Sequence, residues 1–71
     1  MNINKEILSE AIDNYVIGYK AIRNRSILKD HYIDGLTFAE VAEKYEMSDR
    51  QVQKIARDNM KVINQNLKNK R

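Results

Sequence analysis

The chain is expected to fold as an all-α domain of four helices, and three observations in its 71 residues lead there. It contains no proline and only two glycines, Gly18 and Gly35. Its apolar residues recur at steps of three and four, the spacing of one helical face. Runs of strand type bounded by turn residues are absent.

The first helix is expected over about residues 3–17. Ile3, Ile7, Leu8, Ala11, Ile12, Tyr15 and Val16 share a face, and Asn2 or Asn4 caps the start. Gly18 permits a break, which favours two helices over one long one. The second runs from about Tyr19 to Ile33, with Tyr19, Ile22, Ser26 or Ile27, Leu28, Tyr32 and Ile33 facing inward. It closes at Asp34-Gly35, where glycine takes the left-handed conformation. Thr37 opens the third helix, with Thr37 and Glu40 in capping-box spacing and Phe38, Val41, Ala42 and Tyr45 inward. Ser48 and Gln51 repeat that spacing at the fourth, and Asp49 suits the positive end of the helix dipole. Val52, Ile55 and Ala56 point inward there, followed by Met60, Ile63 and Leu67, so this helix is extended. A polar, basic tail over residues 66–71 is expected to fray.

A single domain spanning residues 1–71 is near the lower size limit for an unaided core, which suggests packing against a second copy, as a homodimer, or against a partner. The absence of cysteine excludes disulfides and thiolate metal sites, and a lone histidine, His31, does not make a histidine metal site. No leader or long apolar run appears, so a cytoplasmic protein with no membrane partner is expected. Asp13, Asp30 and Asp34 lack the spacing of an acid–base or metal site, and Ser9 and Ser26 lack a base. No catalytic residue, metal or cofactor is therefore expected. His31 is assigned to the surface or to helix packing, and Tyr15, Tyr19, Tyr32 and Tyr45 to core or interface.

The net charge of +3 is modest, but its distribution is uneven. Arg50, Lys54, Arg57, Lys61, Lys68, Lys70 and Arg71 face a single acid, Asp58, in the last stretch of chain. Such a stripe suits a phosphate backbone. The link Tyr45-Glu46-Met47-Ser48 is too short for antiparallel packing and fits the sharp crossing of a helix-turn-helix at about residues 37–57. That crossing requires a small residue at closest approach, met by Ala42, and a buried turn residue, met by Met47. It also requires apolar positions four and seven beyond Ser48, met by Val52 and Ile55.

The run Leu36-Thr37-Phe38-Ala39-Glu40-Val41-Ala42-Glu43-Lys44-Tyr45-Glu46-Met47-Ser48-Asp49-Arg50-Gln51-Val52-Gln53-Lys54-Ile55 resembles the helix-turn-helix of region four of bacterial sigma factors. It is similar as well to the sigma-like modules of small phage and mobile-element regulators. Residues 27–35 resemble the helix preceding that motif, and the likeness covers about residues 22–58. It implies double-stranded DNA binding with the Ser48 helix in the major groove, but not a whole sigma factor. Glu46 departs from the pattern, which usually has glycine there. Either Glu46 takes a positive φ or the turn adopts another geometry.

With Val52, Ile55 and Ala56 inward, Asp49, Arg50, Gln53, Lys54 and Arg57 face outward near the start of the fourth helix. Recognition helices present their first turns to base edges. Arg50 and Lys54 suit guanine and Gln53 suits adenine. Arg57 and Lys61 lie further along and suit phosphates, as do Thr37 and Ser48 at helix starts. Asp49 would repel phosphate, so it is read as helping to cap the helix or as accepting from cytosine. The expected function is sequence-specific DNA binding, as a transcriptional regulator of phage or mobile-element type. A DNA-packaging or recombination accessory factor of terminase-small-subunit or excisionase type needs the same fold. A different class is an interaction module that inhibits a polymerase or repressor. The first helix is free to cover the core, to dimerise, or to bind RNA polymerase or another regulator.

Overall fold

Four helices make up the described chain: α1 (Lys5–Tyr15), α2 (Ala21–Tyr32), α3 (Phe38–Lys44) and α4 (Asp49–Asn69). The computed structural model describes residues 4–69, within which no strand occurs. Asn2, Ile3, Lys70 and Arg71, named above as a cap, an apolar contact and tail charges, lie outside those residues. No helix among the described residues is long and apolar enough to cross a membrane.

Asn4 caps α1, its side-chain oxygen accepting from the Glu6 N–H at 2.6 Å. Leu8, Ala11 and Ile12 are buried, as is Val16 just past the helix end. Ile7 is an exception to the expected face. It sits at the edge of the apolar stripe and is exposed. The break after α1 is real: Gly18 has φ +93° and Lys20, also left-handed, has φ +60°.

Lys20 corrects the expectation for the second helix. As the residue before Ala21, it sets the start of α2 without a side-chain cap, so Tyr19 precedes the helix. Ile27 and Leu28 take the inward direction and are fully buried. At about 100° per residue, Ile22 then lies roughly 120–140° from both around the helix axis. Tyr19 is 88% and Ile22 81% exposed, so neither belongs to the core. Two polar links tie α2 to α1. Arg25 Nε donates to the Val16 carbonyl at 2.8 Å, and Lys29 pairs with Asp13 at 2.7 Å.

The core has two parts. Leu8, Ala11, Ile12, Val16, Leu28 and Ile63 form one, with Met60 and Leu67 packed against it. Ile27, Val41, Ala42 and Val52 form the other, flanked by Phe38, Tyr45 and Met47. Ile55 packs against both parts. Helix α4 is therefore the spine: its first half holds α3, and its second half holds α1. The apolar face that left the first helix with several possible partners is used inside the chain. Of the tail expected to fray, residues 70–71 lie outside the described residues and residues 66–69 belong to α4, which continues through Asn69. Leu67 anchors that last stretch to the core.

At the α3–α4 link, Glu46 takes the positive φ that was one of the two expectations for it. Its φ is +56°. The Met47 N–H donates to the Ala42 carbonyl at 2.8 Å and the Glu46 N–H to the Glu43 carbonyl at 3.3 Å. These two bonds are the paired closure of a Schellman motif, with Glu46 at the left-handed position. Met47 packs against the core part that holds Val41. A β-carbon at this φ is strained, whereas glycine has more entropy to lose on folding. Glu46→Gly is therefore expected to stabilise the protein by about 0.5–1 kcal/mol, raising Tm by a few degrees in thermal melts. An unchanged or lower Tm would show that Glu46 is not strained.

Candidate nucleic-acid interface

Both capping boxes expected around the link are formed. The Thr37 N–H donates to Glu40 Oε1 at 2.8 Å, and the Glu40 N–H to the Thr37 hydroxyl at 3.1 Å. The Ser48 N–H donates to Gln51 Oε1 at 3.0 Å, and the Gln51 N–H to the Ser48 hydroxyl at 3.1 Å. Ser48 and Gln51 therefore do the capping, and Asp49 contributes only its charge in the first turn. The amides of Asp49 and Arg50 precede the first intrahelical bond and stay open to an anion.

A buried carboxylate fixes how the link sits on α2. Asp30 Oδ2 accepts from the Tyr45 hydroxyl at 2.7 Å and from Lys44 Nζ at 3.0 Å. Burial alone pushes the Asp30 carboxyl up. The bonds from Tyr45 and Lys44, with the Lys44 charge, outweigh it and hold the group below its ordinary value of 3.8. His31 packs nearby, its ring stacked on Phe38 at 4.0 Å, and its Nδ1 lies 2.7 Å from the Leu36 carbonyl. A carbonyl only accepts, so Nδ1 carries the proton. The expected helix-packing role of His31 is thus what it has here. Asp30 was not legible as a site because its partners lie 14 and 15 residues away.

Thr37, Ser48, Asp49, Arg50, Gln53, Lys54, Arg57 and Lys61 are all exposed. Val52, Ala56 and Ile63 are buried on the inward side of α4. At about 100° per residue, Arg50, Lys54, Arg57, Lys61 and Lys68 fall within roughly 60° of arc on the far side. They form one row about 27 Å long at 1.5 Å per residue. Gln53 sits beside the row, and Asp49 lies about a third of a turn around the axis from it. Thr37 stands apart on α3. Beyond Arg57 the row borders an open groove lined by Lys61, Asn64, Gln65 and Lys68.

Arg50, Gln53, Arg57 and Lys61 make no side-chain hydrogen bond or ion pair among the described residues, whereas Lys54 does. Its ammonium lies 2.8 Å from Asp58 Oδ2, one helical turn on. The hydrogen bond from Lys54, with the charges of Lys54, Arg57 and Lys61, holds the Asp58 carboxyl below its ordinary range. The four-residue Lys–Asp spacing was the available signal for this pair, and it was not drawn from the sequence.

Comparison with protein families, with curated proteins and with solved structures finds no match to this chain. The likeness to sigma region-four modules therefore rests on the residues quoted for it.

Proposed function

We propose that this protein binds double-stranded DNA, with the Ser48-capped end of α4 in the major groove and α3, the link and α4 acting as a helix-turn-helix. The observation that carries the reading is the row Arg50, Lys54, Arg57 and Lys61. It lies on the open side of a helix whose other side is locked into the core. Phosphates attract the row along its length, and the first two turns bring Arg50 and Gln53 to base edges. The open amides of Asp49 and Arg50 suit a phosphate at the groove edge. No catalytic step belongs to this reading. A single helix reads few base pairs, so two copies on half-sites about 34 Å apart would supply the remaining specificity. The sigma-like resemblance favours a transcriptional regulator over a packaging or recombination factor.

Fluorescence anisotropy with a labelled duplex over a salt series tests the reading. Arg50→Ala is expected to weaken binding to a selected site about 5–150-fold. Arg57→Ala is expected to weaken all duplexes alike and reduce the salt slope by about one. Unchanged affinity in both would overturn the assignment of the face.

A second reading has its own observation. Ile17, Tyr19 and Ile22 are 72%, 88% and 81% exposed around the α1–α2 turn, an unusual concentration of large apolar side chains. A module that binds a polymerase or repressor through that turn would use them. Absence of duplex binding at low salt would favour this second reading.

A further inference from the structure

Asp58 is an acid beside a row of cations, and its position is specific. It lies one turn beyond Lys54 and one turn before Lys61, with its oxygen 2.8 Å from the Lys54 ammonium. Both members of the pair are exposed, and Lys precedes Asp, the less favourable order along a helix. Such a pair contributes little to folding. Its electrostatic effect on a polyanion is larger. Each cation that neutralises a phosphate releases a condensed counterion, and this term supplies nearly all non-specific affinity. A lysine already held by a carboxylate gives up that pairing when it meets phosphate. It also leaves a negative charge facing the duplex.

We propose that Asp58 restrains the electrostatic affinity of this surface for DNA by occupying Lys54 within the basic row. This inference rests on the proposed DNA-binding function. Base-edge hydrogen bonds from Arg50 and Gln53 lie one to two turns earlier and are not opposed in this way. The penalty therefore falls on phosphate attraction common to every sequence, and it lowers the affinity for all duplexes alike. The pKa depression of Asp58 agrees with the geometry, since Arg57 and Lys61 act on the carboxylate together with Lys54.

The test is Asp58→Asn, with the full chain titrated against a mixed-sequence duplex of about 20 base pairs at several salt concentrations. Glu10→Gln serves as the charge control. Glu10 is exposed on α1 and carries the same charge change away from the row. Asp58→Asn is expected to tighten non-specific binding severalfold, up to about tenfold near 0.1 M salt, and to steepen the salt slope by about one. Glu10→Gln is expected to move neither by more than about twofold. In the Lys54→Ala background the effect of Asp58→Asn should shrink, because the lysine it restrains is gone. Thermal melts should show Asp58→Asn folded with an unchanged Tm.

Equal gains from Asp58→Asn and Glu10→Gln would overturn the inference, since net charge alone would explain them. Wild-type binding with no gain from Asp58→Asn would overturn the inference alone and leave the DNA-binding function standing. No duplex binding by the wild type at low salt would overturn both.

Discussion

Replacing Ile63 with alanine is expected to destabilise the protein by about 2–5 kcal/mol, the usual range for emptying a fully buried aliphatic site. Ile63 is completely buried and joins α4 to Leu8, Ala11, Ile12 and Val16 at the α1 end of the core. A domain of this size has about 5 kcal/mol or little more in total. The variant should therefore melt far lower than the wild type, with a broad transition in circular dichroism. A loss below about 1 kcal/mol would show that α1 is a loosely attached arm. The result matters for function as well. Ile63 lies outside the segment that resembles a DNA-binding motif, yet the second half of α4 is held in place through it.

Asp30→Ala is expected to cost about 1.5–3 kcal/mol, since it strips a charged acceptor from the Tyr45 hydroxyl and Lys44. The loss should depend on pH. The Asp30 carboxyl is held below 3.8, so its contribution is complete above about pH 4 and falls away as pH drops through the folded value. Tyr45 is raised above 10.0, chiefly by burial and then by its bond to Asp30, so its contribution is present below about pH 10 and is lost as pH rises from there through the folded value. Lys44 is raised as well, mainly by its bond to Asp30, and behaves with the same sign. Urea melts across pH should show a plateau for the wild type between these limits. In Asp30→Asn the acid limb should shrink. It should not vanish, because Glu40, which accepts from the Thr37 N–H in the capping box, is also depressed. An acid limb unchanged in Asp30→Asn would show that the carboxylate is not charged and paired as described.

What the sequence revealed and what it hid divide along physical lines. Local chemistry was legible. The two capping boxes and the inward set Val52, Ile55 and Ala56 follow from residues within four positions of each other, whereas at Glu46 the sequence left a positive φ and another turn geometry open. The start of α2 was not legible, because Lys20 takes a left-handed conformation that lysine does not advertise, and no side chain caps it. That displaced start leaves Tyr19 outside the helix, and Ile22 stands in solvent because it lies on the opposite side of α2 from Ile27 and Leu28. The Asp30–Tyr45–Lys44 contacts were hidden by sequence distance. For the candidate interface, every nominated side chain is exposed, since a buried face determines its opposite. The Lys54–Asp58 pair changes what one of them is free to do.

The arrangement of α4 bears on how such a protein can diversify. The residues that hold the domain together on this helix, Val52, Ile55, Ala56 and Ile63, share no position with the outward set Arg50, Gln53, Lys54, Arg57 and Lys61. Exchanges on the outer row leave the interior untouched, so successive generations can sample new surface chemistries with little risk of losing the folded chain. Lineages and engineers alike can rewrite that row one residue at a time on an otherwise constant scaffold.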